Sequence, residues 1–228
     1  MEPLKNVRLS EEGLAIVKRI LLSSPGCDFE PEILREKEID LYCLHSTVPT
    51  GGAVTLFAYA KKEGKEVLHA EDVILAFSSL RHAEDTWNWL NADPAFLSDM
   101  KAQGFQLDGQ ECKNRFFFSH LLNPVYISKL AGDKVEVEYQ NGGLVISVQA
   151  VFSGHLPIRV GQQVALHSGC IICQLDKNLA GQILASQRQS DEIWPCYKNL
   201  SESSIDLERD FGASLFQFNL SNFQKYPL

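Results

Sequence analysis

The apolar residues in the first part of the chain recur at helical spacing. Leu14, Val17 and Leu21 share one face of a helix that begins after Ser10, whose hydroxyl can cap it, and that stops at residues 23–26, Ser-Ser-Pro-Gly. The pattern predicts one amphipathic helix over about residues 11–23.

A longer helical pattern runs through residues 71–90. Its shared apolar face carries Val73, Phe77, Leu80, Trp87 and Leu90. A second helix follows, because Asp93 can cap it and Pro94 suits its first position. These signals predict a helical hairpin over about residues 71–103.

The segment between these two helical patterns is ambiguous. Residues 39–45 and 53–59 are apolar runs separated by a turn that contains Gly51 and Gly52. Both a strand and a helix fit residues 53–59, and the flanking glycines favour the strand. We therefore expect a short β element near residues 39–60, preceded by a short helix at about residues 32–37.

The pattern changes to β structure in the second half of the chain. Residues 134–139 alternate between polar and apolar, and residues 144–152 run back after an Asn-Gly-Gly turn, which predicts a β-hairpin. Further short strands are predicted at about residues 125–130, 158–160, 163–167, 170–175 and 181–187. The expected fold class is α+β, with a helical N-terminal half followed by a mostly antiparallel, barrel-like or strongly bent β-meander.

The change of pattern also suggests the domain organisation. We expect a mainly helical region over residues 1–108 and a mainly β region over residues 109–228, with an apolar C-terminal segment that packs back on the body. At 228 residues the chain can equally form a single domain. Any boundary is expected between residues 104 and 124.

The charge of the chain argues against a polyanionic partner. The sequence has 21 Lys and Arg residues against 29 Asp and Glu residues, a formal charge of −8, and the basic residues are scattered. Binding nucleic acid requires clustered cations that neutralise phosphates. The sequence also contains no apolar run of the ~18 residues that a membrane-spanning helix needs.

Cysteine usage indicates the compartment. The six cysteines belong to a chain with 45% hydrophobic residues, which can build a core without disulfides, and no secretory signal pattern is recognised. Free thiols and a cytoplasmic or other reducing compartment are therefore expected. Export without a Sec-type signal would leave no trace in this pattern.

One motif has the spacing of a metal site. Cys170 and Cys173 form a C-x-x-C pair, and His167 lies three residues before it. The two residues between the cysteines are isoleucines, typical of a buried strand, where residues three apart point to opposite faces. We therefore expect buried cysteines and no metal, and keep these three residues as weak candidates for a zinc-stabilised binding module.

A cysteine nucleophile is a second chemical possibility. Cys43 precedes a glycine-containing turn, and His120 and His155 also lie near turns, where either could serve as the base that thiolate catalysis requires. No family signature surrounds these residues. A small cysteine- or histidine-dependent hydrolase or transferase is therefore the alternative function.

Aromatic and basic residues at the junction of the two halves suggest a binding surface. Arg115, Phe117 and His120 combine a cation, stacking surface and an imidazole where ligand sites are common, although a buried strand explains the same run. Trp89 points away from the apolar face of its helix and could anchor a partner.

The sequence shows binding surfaces but no assembled reaction centre. The leading interpretation is a non-catalytic protein–protein binding or regulatory protein that needs no cofactor. Its expected partner is another protein, with a small molecule at the junction of residues 104–124 as the second choice.

Overall fold

The chain is an α+β protein with a helical N-terminal half, as predicted. A computed structural model describes residues 7–23, 51–102, 105, 107–131, 134–141, 144–152 and 156–194. The predicted elements at residues 32–37 and 39–45, and the apolar C-terminal segment, lie outside the described residues. The fold does not test the predicted division into residues 1–108 and 109–228, which therefore stays a prediction.

The described part of the N-terminal half contains a two-stranded parallel pair and six helices. These elements are β1 (Arg8–Leu9), α1 (Glu11–Ser23), α2 (Gly51–Glu63), β2 (Val67–Leu68), α3 (Ala70–Phe77), α4 (Leu80–Ala92), α5 (Pro94–Ala102) and α6 (Gln110–His120).

Two of the predicted helix starts are confirmed by their caps. The hydroxyl of Ser10 accepts a hydrogen bond from the backbone N–H of Gly13 at 3.1 Å, in the first turn of α1. The carboxylate of Asp93 accepts from the N–H groups of Ala95 and Phe96 at 3.0 and 3.1 Å, which starts α5 at Pro94.

The strand predicted at residues 53–59 is wrong, because this segment belongs to α2. Ala53, Leu56 and Ala60 are buried on one face, which is helical spacing within an apolar run. A Cβ atom on Gly52 would lie 3.4 Å from the ring of Phe77, so this position of α2 faces α3. Gly52, one of the glycines that favoured a strand, therefore lies at a contact between two helices.

The long helix predicted over residues 71–90 is broken at Ser78 and Ser79. The Ser78 hydroxyl donates to the carbonyl of Ile74 at 2.7 Å, and the Ser79 hydroxyl accepts from the N–H of His82. The first serine therefore lies at the end of α3, and the second caps α4.

The second half of the described chain contains five strands and one helix: β3 (Asn123–Ala131), β4 (Lys134–Asn141), β5 (Leu144–Phe152), β6 (Gln163–His167), β7 (Cys170–Gln174) and α7 (Lys177–Ile193). The hydrogen-bonded order β3-β4-β5-β7-β6 returns to its start, because β6 also pairs with β3. Four of these pairings are antiparallel, and the short contact between β5 and β7 is parallel.

Three strand predictions in this region are wrong. Residues 181–187 belong to α7, which begins where the Asp176 carboxylate accepts from the N–H of Leu179 at 2.8 Å. Residues 115–120 belong to α6 rather than to a buried strand. Residues 158–160 form no strand.

The buried apolar residues form two clusters. The first joins α1, α2 and α3 to one face of β7 and to α7. The second joins α4, α5 and α6 to the inner side of β3–β6. Phe77 belongs to the first cluster and Phe116 to the second, and the polar site described below contacts both of them.

Candidate metal centre

Three histidines meet in the interior of the molecule, and each lies at the end of an element. His82 is in the first turn of α4, His120 is the last residue of α6, and His167 is the last residue of β6. Element ends fix a side chain through the packing of the whole helix or strand. The two halves of the chain therefore both contribute to one site.

The three imidazole rings are close enough to share an ion. One ring nitrogen from each histidine can be chosen so that all three lie within 4.8 Å of one another. The ring centroids are 4.9 Å apart for His120 and His167, and 5.3 Å apart for His82 and His120. His82 and His167 are 0% exposed and His120 is 1% exposed. We call these three residues the histidine cluster.

Ser23, the last residue of α1, fixes the protonation of His167. The Ser23 hydroxyl donates its hydrogen to the carbonyl of Ile20 at 2.9 Å, so its oxygen accepts from Nδ1 of His167, also at 2.9 Å. His167 therefore carries its proton on Nδ1. Its Nε2 lone pair is then free, and this buried atom has no hydrogen-bond partner.

Ser168 makes a corresponding but longer contact with His120. Its hydroxyl lies 3.5 Å from Nδ1 of His120, and its backbone N–H donates to the carbonyl of Ser119 at 2.6 Å. Ser168 has φ of 45°, a left-handed conformation that is uncommon for serine. The tight turn after β6 therefore holds a strained residue against the end of α6, next to the histidine cluster.

His82 is the histidine whose hydrogen-bonding capacity is least satisfied. Neither its Nδ1 nor its Nε2 has a hydrogen-bond partner of good geometry, although both are buried. A neutral imidazole carries one N–H donor and one acceptor nitrogen, and leaving a buried donor without a partner costs about 1–3 kcal/mol. Buried groups of this kind commonly indicate an ion or a water.

The environment keeps all three histidines neutral. Burial lowers the pKa of His82 to about 4, and an interaction with the His120 backbone offsets this only in part. Burial also lowers the pKa values of His120 and His167 well below the usual range, and the neighbouring imidazoles lower them further. Neutral imidazole is the form that binds metal ions.

Aromatic rings enclose the histidine cluster. The Phe77 ring meets His82 edge-on with centroids 5.1 Å apart, and the Phe116 ring stacks on His120 at 5.7 Å. Trp89 meets His120 edge-on at 6.4 Å. The surroundings are therefore apolar, which strengthens electrostatic interactions inside the cluster.

Of the four predicted contact residues, Trp89 contacts the cluster and two are buried. Phe117 is 0% exposed, and His120 is part of the cluster. Trp89 is half-buried against Phe96, and Arg115 is half-buried and paired with Glu111 at 2.7 Å. The protein-contact interpretation stays a prediction, and its surface would be formed by Trp89 and Arg115.

Of the three weak metal candidates, the structure brings His167 into the cluster and leaves out both cysteines. Cys170 and Cys173 are buried in β7 and are not disulfide-bonded. Burial raises the pKa of Cys170 well above its usual value and raises that of Cys173 to about 12. Both are therefore neutral thiols, and both are buried in a strand as expected.

The proposed catalytic set is only partly described. Cys43 and His155 lie outside the described residues, so a cysteine-dependent enzyme stays an untested prediction. His120, the third member, is enclosed in the histidine cluster. The sequence analysis missed His82, because it stands alone in a helix with no other ligand type at metal-site spacing.

A scan against protein-family models and searches of curated proteins and of solved structures find no match to this chain. Among the described residues, no helix is long and apolar enough to cross a membrane. The fold and the histidine cluster are therefore the features from which a function can be inferred.

Proposed function

We propose that the protein is a metal-stabilised, non-catalytic binding protein whose metal ion is held by His82, His120 and His167. The observation that carries this proposal is the convergence of three buried imidazoles, one of which has its Nδ1 held by a serine hydroxyl and its Nε2 without a hydrogen-bond partner. Metal-binding histidines characteristically donate their other ring N–H to such an outer partner.

A packing role alone does not account for the histidine cluster. If the rings only filled space, phenylalanine or leucine would do so without leaving buried nitrogens unsatisfied at His82 and His167. Imidazole–imidazole hydrogen bonds do not relieve His82, since neither of its nitrogens has such a partner. A metal ion would satisfy one nitrogen on each ring at once.

The separation of the nitrogens fits a metal after a small contraction. Metal–nitrogen bonds of about 2.0–2.1 Å place two ligand nitrogens about 3.3 Å apart in a tetrahedron. The cluster nitrogens lie within 4.8 Å of one another. Side-chain shifts of about 1 Å, within ordinary rotamer adjustment, would close the site. Imidazole ligands suit zinc, copper, iron and nickel.

The position of the site supports a structural role for the metal. The three ligands come from α4, α6 and β6, and α1 supports His167 through Ser23. A metal bound here would tie the helical region to the strands. Its binding energy would then contribute to folding, as in other structural metal sites.

Metal analysis of the purified protein tests this proposal directly. We expect about one transition-metal ion per chain in the wild type and less than about a tenth of that in His82→Phe, which keeps an aromatic ring beside Phe77 but removes the ligand. His69→Gln is the matched control, because His69 is exposed and lies outside the cluster.

Thermal unfolding supplies the second measurement. Adding metal should raise the melting temperature of the chelator-treated wild type and of His69→Gln, but not of His82→Phe. If His82→Phe is more stable than the wild type under all conditions and metal has no effect on either, the cluster is a packing feature and the proposal is wrong.

The binding part of the proposal depends on Trp89. Its ring stacks on Phe96 at 5.9 Å and meets His120 at 6.4 Å, so a metal at His120 would help hold the half-buried indole in place. A protein partner that docks there should bind Trp89→Ala more weakly. Pull-down with wild-type and Trp89→Ala baits tests this, with Trp87→Phe as a matched aromatic control.

A further inference from the structure

The donor set of the histidine cluster is electrically neutral. All three donors are imidazoles, and the structure identifies no carboxylate or thiol among the described residues as a member of the group. A bound metal would therefore keep its full charge inside the protein.

That charge would lie in a buried region next to aromatic rings. His82 and His167 are fully buried, and Phe77, Trp89 and Phe116 surround the cluster. The cost of moving an ion into a low-dielectric interior rises with the square of its charge, so a dication costs about four times as much as a monocation. A site without an anionic ligand therefore favours a singly charged metal.

The number of donors leads to the same conclusion. Structural zinc sites take four protein ligands, commonly including thiolates, and a zinc ion held by three histidines adds a water molecule as its fourth ligand. Imidazole also binds copper, which in its monovalent state is stable with three donors. Cys170 pairs with His167 across the turn between β6 and β7, yet its sulfur is not part of the group. Three imidazoles can therefore complete the coordination of monovalent copper, whereas zinc would need a fourth ligand.

We infer that the metal of the histidine cluster is monovalent copper, bound by three neutral imidazoles in an apolar enclosure. This inference rests on the proposed metal-binding function and specifies its ligand. No change in the oxidation state of the copper is involved.

Competition with a coloured copper chelator tests the inference. Under anaerobic conditions, the wild-type protein should withdraw one equivalent of Cu(I) from its bicinchoninate complex. His82→Phe should bind Cu(I) more than about 100-fold more weakly, and Ser23→Ala, which keeps all three ligands, should be weakened less, by about 10- to 100-fold. His69→Gln should match the wild type.

The six cysteines make thiol-bound copper the main competitor. X-ray absorption of the copper-loaded protein should show nitrogen neighbours and no sulfur, and Cys170→Ser should retain copper. Sulfur neighbours, loss of copper in Cys170→Ser, or full retention in His82→Phe would each overturn the copper assignment.

Competition with zinc distinguishes the copper inference from the proposed metal-binding function. Copper-loaded wild type should keep its metal in about tenfold excess of zinc sulfate. Replacement of copper by zinc, with zinc binding lost in His82→Phe, overturns the copper inference and leaves metal binding by the cluster intact. Failure of the wild type to bind either ion at the cluster overturns both.

Discussion

Ser23 and His167 are 144 residues apart in the chain, and their side chains lie 2.9 Å apart in the core. The serine hydroxyl is committed as a donor to Ile20, so its oxygen can only accept from the imidazole. The end of α1 thus decides which nitrogen of His167 is available. A residue outside the cluster thereby sets its chemistry.

Replacing this serine should weaken metal binding without removing a ligand. We expect Ser23→Ala to lower metal affinity about 10- to 100-fold, because His167 loses the partner that fixes its orientation and tautomer. A competition titration measures this. Ser190→Ala is the matched control, since Ser190 is buried and its hydroxyl donates to the carbonyl of Ser186 within α7. Equal affinities in the two variants would contradict the role of Ser23.

Acid should destabilise the metal-free protein through the histidine cluster. Burial places the folded-state pKa values of the three histidines below their unfolded value of 6.5, that of His82 at about 4. The unfolded chain then binds more protons, so stability is present above about pH 6.5 and falls as the pH decreases toward the folded pKa values. Each histidine contributes a slope of about 1 kcal/mol per pH unit in that window.

Urea unfolding between about pH 7.5 and pH 5 measures this dependence. His82→Phe should lose less stability than the wild type over the same range, because it lacks one of the three groups that must be protonated. His69→Gln should follow the wild type. Parallel curves for the wild type and His82→Phe would show that His82 is not held neutral in the folded state.

Gly13 should not tolerate a side chain. A Cβ atom at this position would lie 2.5 Å from the carbonyl oxygen of Leu68, which is backbone and cannot move away cheaply. We expect Gly13→Ala to destabilise the protein by about 1–3 kcal/mol. Gly181→Ala is the matched control in α7, where nothing lies within 4 Å of the added atom. That change should instead stabilise by about 0.5–1 kcal/mol. Denaturant unfolding of both variants distinguishes the two effects.

Tyr139 and Gln187 attach α7 to the strands. The Tyr139 hydroxyl donates to the Gln187 side-chain oxygen at 2.9 Å, and the Gln187 amide donates to Leu122 and Asn123. Tyr139→Phe should cost about 1–3 kcal/mol, because the buried amide oxygen loses its donor. Tyr126→Phe should have almost no effect, since Tyr126 is 44% exposed. Similar unfolding free energies for the two variants would mean that this bond contributes little.

Elements with complete local signals were predictable from the sequence. The bounds of α1 follow from a capping serine, an apolar stripe and a terminating proline, and α5 begins where Asp93 and Pro94 indicate. The hairpin predicted over residues 134–152 is present as β4 and β5, with Asn141 opposite Leu144. In each case the residues that define the element are close together in sequence.

Segments whose sequence pattern fits both a helix and a strand were mispredicted. The apolar run in α2 fits either structure, and Gly52 at its start lies next to the ring of Phe77. The sequence pattern of residues 181–187 predicts a strand, but these residues belong to a helix that Asp176 caps. Tertiary packing decided both segments, and short apolar runs do not contain that information.

The histidine cluster could not be predicted from local sequence patterns, for a different reason. His120 and His167 were each noted as candidates, for catalysis and for metal binding, but His82 was not. No spacing rule relates the three, because they come together only through the packing of α4, α6 and β6. The unsatisfied nitrogens that distinguish the site exist only in the folded molecule.

The origin of the ligands on three separate elements has a kinetic consequence. The cluster cannot form before β6 has paired with β3 and both helices have docked, so it belongs to the late part of folding. Interactions absent from the folding transition state slow unfolding and leave the folding rate nearly unchanged. A metal bound at this site would therefore lengthen the lifetime of the folded protein without making it fold faster.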